Sequence, residues 1–219
     1  MGLSIVAQDN REIFEMSEPP AIDFVIPGMP AETVGSIISP GGVGKSFLAL
    51  EIALQVATGV DLIGWGKFPV GRAVYCDCEN SRIETKRRLC KMYHLISDKN
   101  SIQENFSLYY LKGFNLFTKE AIDELILRTA GARLLVLDTF RRLHMESEID
   151  DAKMATIISR LEDVAEITGA SILFLHHVNK ASAINGHGDL QQAARGSSVL
   201  TDNVRFQLNT DFREAITVI

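Results

Sequence analysis

The chain has 219 residues, 46% of them hydrophobic, and its 22 basic and 28 acidic residues give a formal net charge of −6. This size predicts one large domain with a substantial core. The excess of acidic residues excludes a surface that is basic all over, so any contact with nucleic acid has to come from a local basic patch. Three cysteines, an odd number in a long chain, favour a reducing compartment, so we expect a cytoplasmic location. No apolar run approaches the ~18–20 residues of a membrane span, so we expect no membrane partner.

The first stretch of the chain is mixed and polar and ends at Pro19-Pro20. Chain termini of this composition are usually held loosely. We therefore expect residues 1–22 to form an N-terminal arm and residues 23–219 to form a single domain.

A Gly-rich segment follows the apolar run from Val34 to Ile38. Its sequence, Ser-Pro-Gly-Gly-Val-Gly-Lys-Ser over residues 39–46, precedes a helical stretch from Phe47 to Thr58. A strand, a Gly-rich turn ending in Lys-Ser, and a helix are together typical of a P-loop. The glycines allow backbone N–H groups to turn toward phosphates, and the helix N-terminus adds the positive end of its dipole.

Two side chains of this segment have expected roles in binding a nucleoside triphosphate. Lys45 is expected to reach the β- and γ-phosphates, and the Ser46 hydroxyl to ligate Mg²⁺. The segment departs from the pattern G-x-x-x-x-G-K-[ST] once, because Ser39 replaces the first glycine. The predicted cofactors are ATP and Mg²⁺, and the predicted nucleotide-binding residues here are Pro40, Gly41, Gly42, Val43, Gly44, Lys45, Ser46 and Phe47.

Apolar strand-like runs and helical runs alternate through the rest of the chain. Strands are predicted over residues 72–78, 106–111, 134–138, 172–175, 204–208 and 215–219, and helices over residues 81–95, 118–130 and 151–168. This alternation indicates βαβ units. We therefore predict an α/β fold in which a mostly parallel sheet is flanked by helices on both faces.

Polar side chains stand directly after three of these runs, namely Glu79, Asp138 and the pair His176-His177. Open parallel sheets bind ligands beyond the carboxyl ends of their strands, so we expect these groups to gather near Lys45. Asp138 matches a Walker B acid that holds Mg²⁺. The two histidines could donate to the γ-phosphate and sense its loss, and a purely structural role is the alternative.

Two acids compete for the role of general base after the strand at 72–78. Glu79 is placed to activate the attacking water. Asp77 remains an alternative, because a shift of one residue along the strand changes which side chain faces the nucleotide.

The stretch from residue 171 to residue 201 is mildly basic, because it has a single acid, Asp189, beside Lys180, Arg195 and three histidines. A loop of this kind could follow a nucleic-acid backbone. A plain solvated loop is the alternative. Arg141-Arg142 is a second basic site, although the acidic residues between positions 146 and 151 offset its positive charge.

Four segments together resemble the RepA-type hexameric replicative helicases of plasmids and, more widely, the RecA/DnaB superfamily. Their sequences are SPGGVGKS (39–46), LDTFRRLH (137–144), FLHHVNK (174–180) and QQAARGSSVLTDN (191–203). Their order and spacing match the pattern of that family. The resemblance extends from Asp23 to Gln207.

The resemblance implies a RecA-like P-loop core, a ring of six subunits and ATP sites at the subunit interfaces. It implies that Glu79 rather than Asp77 is the catalytic base and that His177 senses the γ-phosphate. It places Arg195 where the family has an arginine that reaches a neighbouring subunit's phosphates, and it makes Arg88 a nucleotide-proximal residue. The implied partners are single-stranded DNA, five further copies of the chain, and replication initiator proteins.

The family pattern continues beyond Ile219 with further strands and a basic tail, which the given sequence lacks. Two functions therefore remain open. The first is an ATP-driven helicase or translocase of the RepA type. The second is a shortened ATP-binding module without motor activity that acts through a partner. A P-loop kinase ranks behind both, because the lid of such a kinase usually carries several arginines and few arginines stand late in this chain.

Overall fold

The computed structural model describes Asp9 and residues 21–144, 150–177 and 203–210. The strands in this part of the chain are β1 (Phe24–Ile26), β2 (Met29–Pro30), β3 (Val34–Ser39), β4 (Ala73–Asp77), β5 (Phe106–Tyr110), β6 (Leu134–Asp138), β7 (Ser171–His177) and β8 (Phe206–Asn209). The α-helices are α1 (Lys45–Thr58), α2 (Arg82–Tyr93), α3 (Lys99–Asn105), α4 (Lys119–Thr129) and α5 (Asp151–Thr168). A 3-10 turn covers Phe140–Arg142.

Six strands form one sheet in the order β5-β4-β6-β7-β3-β8, and every neighbouring pair is parallel. The predicted fold class, an α/β fold with a mostly parallel sheet, is therefore confirmed. The carboxyl ends of the strands meet at one edge, where Asp77 pairs with Asp138 and Ser39 pairs with His177 in the sheet register. This edge is where ligands of open α/β sheets bind.

Two hydrophobic cores cover the two faces of the sheet. Side chains alternate along each strand, so Ala73 and Tyr75 of β4 pack on one face while Val74 and Cys76 pack on the other. Helix α1 supplies most of the helical residues of the first core, and α5 supplies most of those of the second. The predicted placement of helices on both faces agrees with this packing.

The predicted elements differ from the observed ones at several places. Helix α1 begins at Lys45, two residues earlier than predicted, and is capped after Thr58 by Gly59, whose φ of 72° is the left-handed conformation that glycine adopts readily. Strand β7 includes both His176 and His177, which were expected just after it. The β1–β2 hairpin and α3 were not predicted, because two- and three-residue strands carry little pattern and α3 has no fully buried residue.

Some predictions fall on residues outside the described ranges. They are most of the arm at 1–22, the basic loop at 178–194, Arg195, and the strand at 215–219.

Candidate functional site

The segment from Ser39 to Ser46 joins the carboxyl end of β3 to the N-terminus of α1. Gly42 and Gly44 have φ values of 86° and 98°, which explains why glycine stands at both positions. The residue before α1, Gly44, has no side chain that could cap the first turn of the helix. The positive end of this helix is therefore open to an anion, as a P-loop requires.

The ammonium group of Lys45 lies inside this loop. Its Nζ donates to the Ser39 carbonyl oxygen at 2.8 Å, to the Ser39 Oγ at 3.0 Å and to the Pro40 carbonyl oxygen at 2.9 Å. Burial lowers the pKa of Lys45 to about 8, although the nearby carboxylates of Asp138 and Glu79 oppose this shift. A bound phosphate would offer this buried cation a stronger partner than the loop's own oxygens.

The predicted Mg²⁺ ligands Ser46 and Asp138 are neighbours across the sheet edge. The Asp138 carboxyl group is buried, which raises its pKa, while hydrogen bonds from the Tyr75 and Ser46 hydroxyls lower it. A carboxylate and a hydroxyl oxygen are hard ligands that fit Mg²⁺, which usually adds phosphate oxygens and water to one or two protein ligands. The residues present therefore fit the metal that the P-loop implies.

The two competing acids after β4 have different surroundings. Asp77 is buried, and its Oδ1 accepts hydrogen bonds from the backbone N–H of Glu79 at 3.1 Å and of Asn80 at 2.8 Å. Its Oδ2 accepts from Thr85 Oγ1 at 2.5 Å. Asp77 is thus occupied in holding the turn after β4 and the start of α2, whereas the Glu79 side chain is 40% exposed and can meet a ligand.

The side chains of Glu79 and His177 lie next to each other. Glu79 Oε2 is 3.5 Å from His177 Nε2, and the histidine side chain is also 40% exposed. His177 Nδ1 also borders the P-loop, because a Cβ built on Gly41 would lie 3.9 Å from it. The structure therefore brings the predicted base, the predicted sensor and the P-loop together.

The neighbouring His176 points to the other face of the sheet. It is buried beside Phe140, with ring centroids 6.3 Å apart, and burial lowers its pKa to about 4. The alternation of side chains along β7 explains the difference between the two histidines. Of these two histidines, His177 is the one on the sheet face that α1 covers.

Arg88 lies on α2 near the helix that follows the P-loop. Its Nε donates to Glu84 Oε1 at 3.2 Å, and the arginine lines a groove of about 800 Å³ together with Phe47. The predicted nucleotide-proximal residues Phe47 and Arg88 are therefore close to each other. Arg195 lies outside the described residues.

Sequence reasoning assigned no role to Tyr75 and Asn80. The Tyr75 hydroxyl donates to Asp138 Oδ2 at 2.7 Å, and Asn80 Nδ2 lies 3.3 Å from the same oxygen. Alternation along β4 could have placed Tyr75 on the same face as Asp77. Its contact with Asp138 depends on the pairing of β4 with β6, for which the sequence carries no direct signal.

Two comparisons with known proteins agree with this architecture. A family model described as an AAA domain (AAA_25) matches residues 5–183. Among solved structures, the ATPase domain of G40P superposes with a TM-score of 0.55 at 14% sequence identity, covering 84% of this chain and 74% of that chain. This likeness shows that the two share the fold of a P-loop ATPase domain. In the part of the chain that the structure describes, no helix has the length and apolar character to cross a membrane.

Proposed function

Because the chain belongs to this AAA domain family, AAA_25, we propose that it is an ATPase that hydrolyses ATP in order to move on single-stranded DNA, in the manner of the RepA-type hexameric helicases. One observation carries the proposal. Lys45, Ser46, Asp138, Glu79 and His177 come from four separate segments and meet at one edge of the sheet.

The P-loop would hold the phosphates of ATP. The open N-terminus of α1 faces them with its backbone dipole, and Lys45 exchanges its contacts with Ser39 and Pro40 for contacts with the β- and γ-phosphates. Ser46 and Asp138 would hold Mg²⁺. When bound, the metal neutralises charge that develops on the phosphate oxygens.

Hydrolysis needs a water aligned with the γ-phosphate and a base that accepts its proton. Glu79 is exposed, lies near the P-loop and is not tied into the turn as Asp77 is, so it would be the base. A ring N–H of His177 would donate to the γ-phosphate while ATP is present. After hydrolysis His177 would turn to Glu79, whose carboxylate is already within 3.5 Å, and this exchange would report the loss of the phosphate.

The motor activity requires further subunits. Arg195 would reach the ATP of a neighbouring subunit and stabilise charge in the transition state, as arginine fingers do. The loop at 178–194 and the basic pair Arg141-Arg142 would contact single-stranded DNA inside a ring of six copies. Replication initiator proteins are the further partners we propose, with the cytoplasm as the location.

An ATP-binding module without motor activity that acts through a partner is the second candidate. The net charge of −6 favours it, because a DNA motor usually carries a basic surface. This module would bind ATP and turn it over slowly, with no response to DNA.

Steady-state ATP hydrolysis with and without single-stranded DNA separates the two functions. We expect stimulation of several-fold by single-stranded DNA, a smaller response to duplex DNA, and no turnover in Lys45→Ala. A wild-type protein that binds ATP but shows no response to DNA would contradict the motor and favour the module.

A further inference from the structure

Tyr75 is a buried polar side chain to which the proposed hydrolysis mechanism assigns no part. Only 1% of the residue is exposed, and it lies in the middle of β4. Its hydroxyl donates to Asp138 Oδ2 at 2.7 Å, a good distance for an O–H···O bond. The same hydroxyl oxygen lies 3.4 Å from the Ser46 carbonyl oxygen. Tyr75 thus contacts the Asp138 carboxylate and the main chain of Ser46.

The surroundings fix the direction of this hydrogen bond. A carboxylate has no proton to donate and a buried phenol keeps its own, so the Tyr75 hydroxyl is the donor. The Asp138 carboxyl group is buried as well, and a buried carboxylate needs donors on its oxygens. Asn80 Nδ2 approaches the same Oδ2 at 3.3 Å and supplies a longer second contact.

The position of Tyr75 is set by packing rather than by the ligand. Its ring belongs to the first hydrophobic core, together with residues of α1, β6 and β7. A rigid aromatic ring held on a central strand carries its hydroxyl to a fixed point. A donor at a fixed point restricts the rotation of the carboxylate that it contacts.

We propose that Tyr75 is a positioning residue that orients the Asp138 carboxylate toward Ser46 and so prepares the Mg²⁺ site before nucleotide binds. This assignment rests on the proposed function. It has a general physical basis, because hydrogen bonds to a metal-binding carboxylate orient the ligand and their loss typically costs 10–100-fold in metal affinity.

The substitution Tyr75→Phe tests the proposal, because it removes the hydroxyl and keeps the ring. The measurement is binding of a fluorescent ADP analogue at a series of Mg²⁺ concentrations, and in EDTA. We expect the Mg²⁺ concentration at half-saturation to rise about 10-fold or more, while the affinity in EDTA stays at the wild-type value. Asn80→Ala, which removes the longer contact, should give a smaller shift in the same direction.

Tyr93→Phe is the matched control, because Tyr93 is 44% exposed at the end of α2, where its ring lies against Lys99. It should leave the Mg²⁺ midpoint unchanged. A Tyr75→Phe protein with a wild-type Mg²⁺ midpoint would overturn the assignment, even if its unfolding midpoint falls. If Tyr75→Phe does not fold, Tyr75→Met, which also removes the hydroxyl but fills the core with a flexible side chain, takes its place, and a wild-type Mg²⁺ midpoint in it would overturn the assignment.

The same titration keeps the two proposals apart. Wild-type protein that binds no nucleotide at any Mg²⁺ concentration would overturn the proposed function and this assignment together. Wild-type protein that binds nucleotide with a clear Mg²⁺ dependence, beside an unchanged Tyr75→Phe midpoint, would overturn the assignment alone.

Discussion

The charge of Lys45 depends on what surrounds it. In the nucleotide-free protein the buried ammonium has a pKa of about 8, against an ordinary value of 10.5. The phosphates of a nucleotide favour the charged form, so binding raises the pKa again. At a pH between about 8 and the higher pKa of the bound state, Lys45 is mostly neutral in the free protein and charged in the complex, so binding takes up a proton from solution.

We predict that nucleotide binding takes up about half a proton per site near pH 8, because about half of the Lys45 side chains are then neutral. Uptake should approach zero near pH 6.5, and nucleotide affinity should fall as pH rises above about 8. Calorimetric titrations in buffers with different ionisation enthalpies measure the uptake directly.

Lys45→Arg is the control, because an arginine side chain stays charged throughout this range. Its binding should show no uptake at pH 8. The same group also makes the stability of the fold depend on pH. The unfolded chain keeps this proton to about pH 10.5 and the folded chain loses it near 8, so the stability of the nucleotide-free protein gains from this group as pH rises between them.

At the residue scale, the sequence predicts which groups gather but not how each is used. Lys45, Ser46, Glu79, Asp138 and His177 are all at the sheet edge, as their positions after strands indicate. The choice between neighbouring candidates depends on the face to which each side chain points and on local hydrogen bonds. For Asp77 those bonds come from Glu79, Asn80 and Thr85, which are close in the chain, but the sequence alone does not show which of the two acids accepts them.

Helices α1 and α5 are stabilised by different amounts of burial. Helix α1 is buried on nearly all sides, whereas α5 buries one stripe that includes Ile157, Leu161 and Val164. Ile167 lies near the end of the same helix with 54% exposure. The stripe covers the second face of the sheet, so it should carry most of the stability that α5 contributes.

We predict that Leu161→Ala lowers the free energy of unfolding by about 2–5 kcal/mol, because it removes a fully buried side chain and leaves a cavity. Urea denaturation measures the change. Ile167→Ala on the same helix should change the free energy by less than about 0.5 kcal/mol, since its side chain is largely in solvent. Equal losses from the two variants would contradict the observed packing of α5.

Helices and strands are predicted correctly from the sequence where the pattern of hydrophobic residues is strong. The 18-residue helix α5 and the apolar strand β6 are found close to their predicted bounds. The seven-residue helix α3 and the two-residue strand β2 were missed, because such short elements complete fewer than about two periods of any pattern. Tertiary packing of their neighbours specifies them instead.

The order of the strands brings distant parts of the chain to one site. Strand β6 lies between β4 and β7, and β7 lies between β6 and β3, so the residues after β3, β4, β6 and β7 share one edge. Strand order is a property of the whole molecule. The alternation of strands and helices predicts a parallel sheet but does not fix the order of its strands.

If the active unit is a ring with shared sites, two inactive variants should complement each other. Glu79→Gln retains Arg195, and Arg195→Ala retains Glu79. In mixed rings, about a quarter of the interfaces carry both intact residues, so we predict recovery to about a quarter of the wild-type ATPase rate when the two are co-expressed.

The control is a mixture of Glu79→Gln with Lys45→Ala. Both residues belong to the same side of the site, so no interface is restored and no activity should appear. Absence of recovery in the first mixture, with assembly of both proteins verified by light scattering, would contradict a site shared between subunits.

The proposed function depends on Glu79 acting as the base for ATP hydrolysis. The measurement that tests it most directly is the hydrolysis rate of Glu79→Gln together with its affinity for ATP, beside wild type and Asp77→Asn. We predict a rate lower by about 10²–10⁴-fold in Glu79→Gln with unchanged ATP affinity and stability, and in Asp77→Asn a loss of stability, since its buried carboxylate holds the turn after β4. A Glu79→Gln protein that hydrolyses ATP at the wild-type rate would contradict the account.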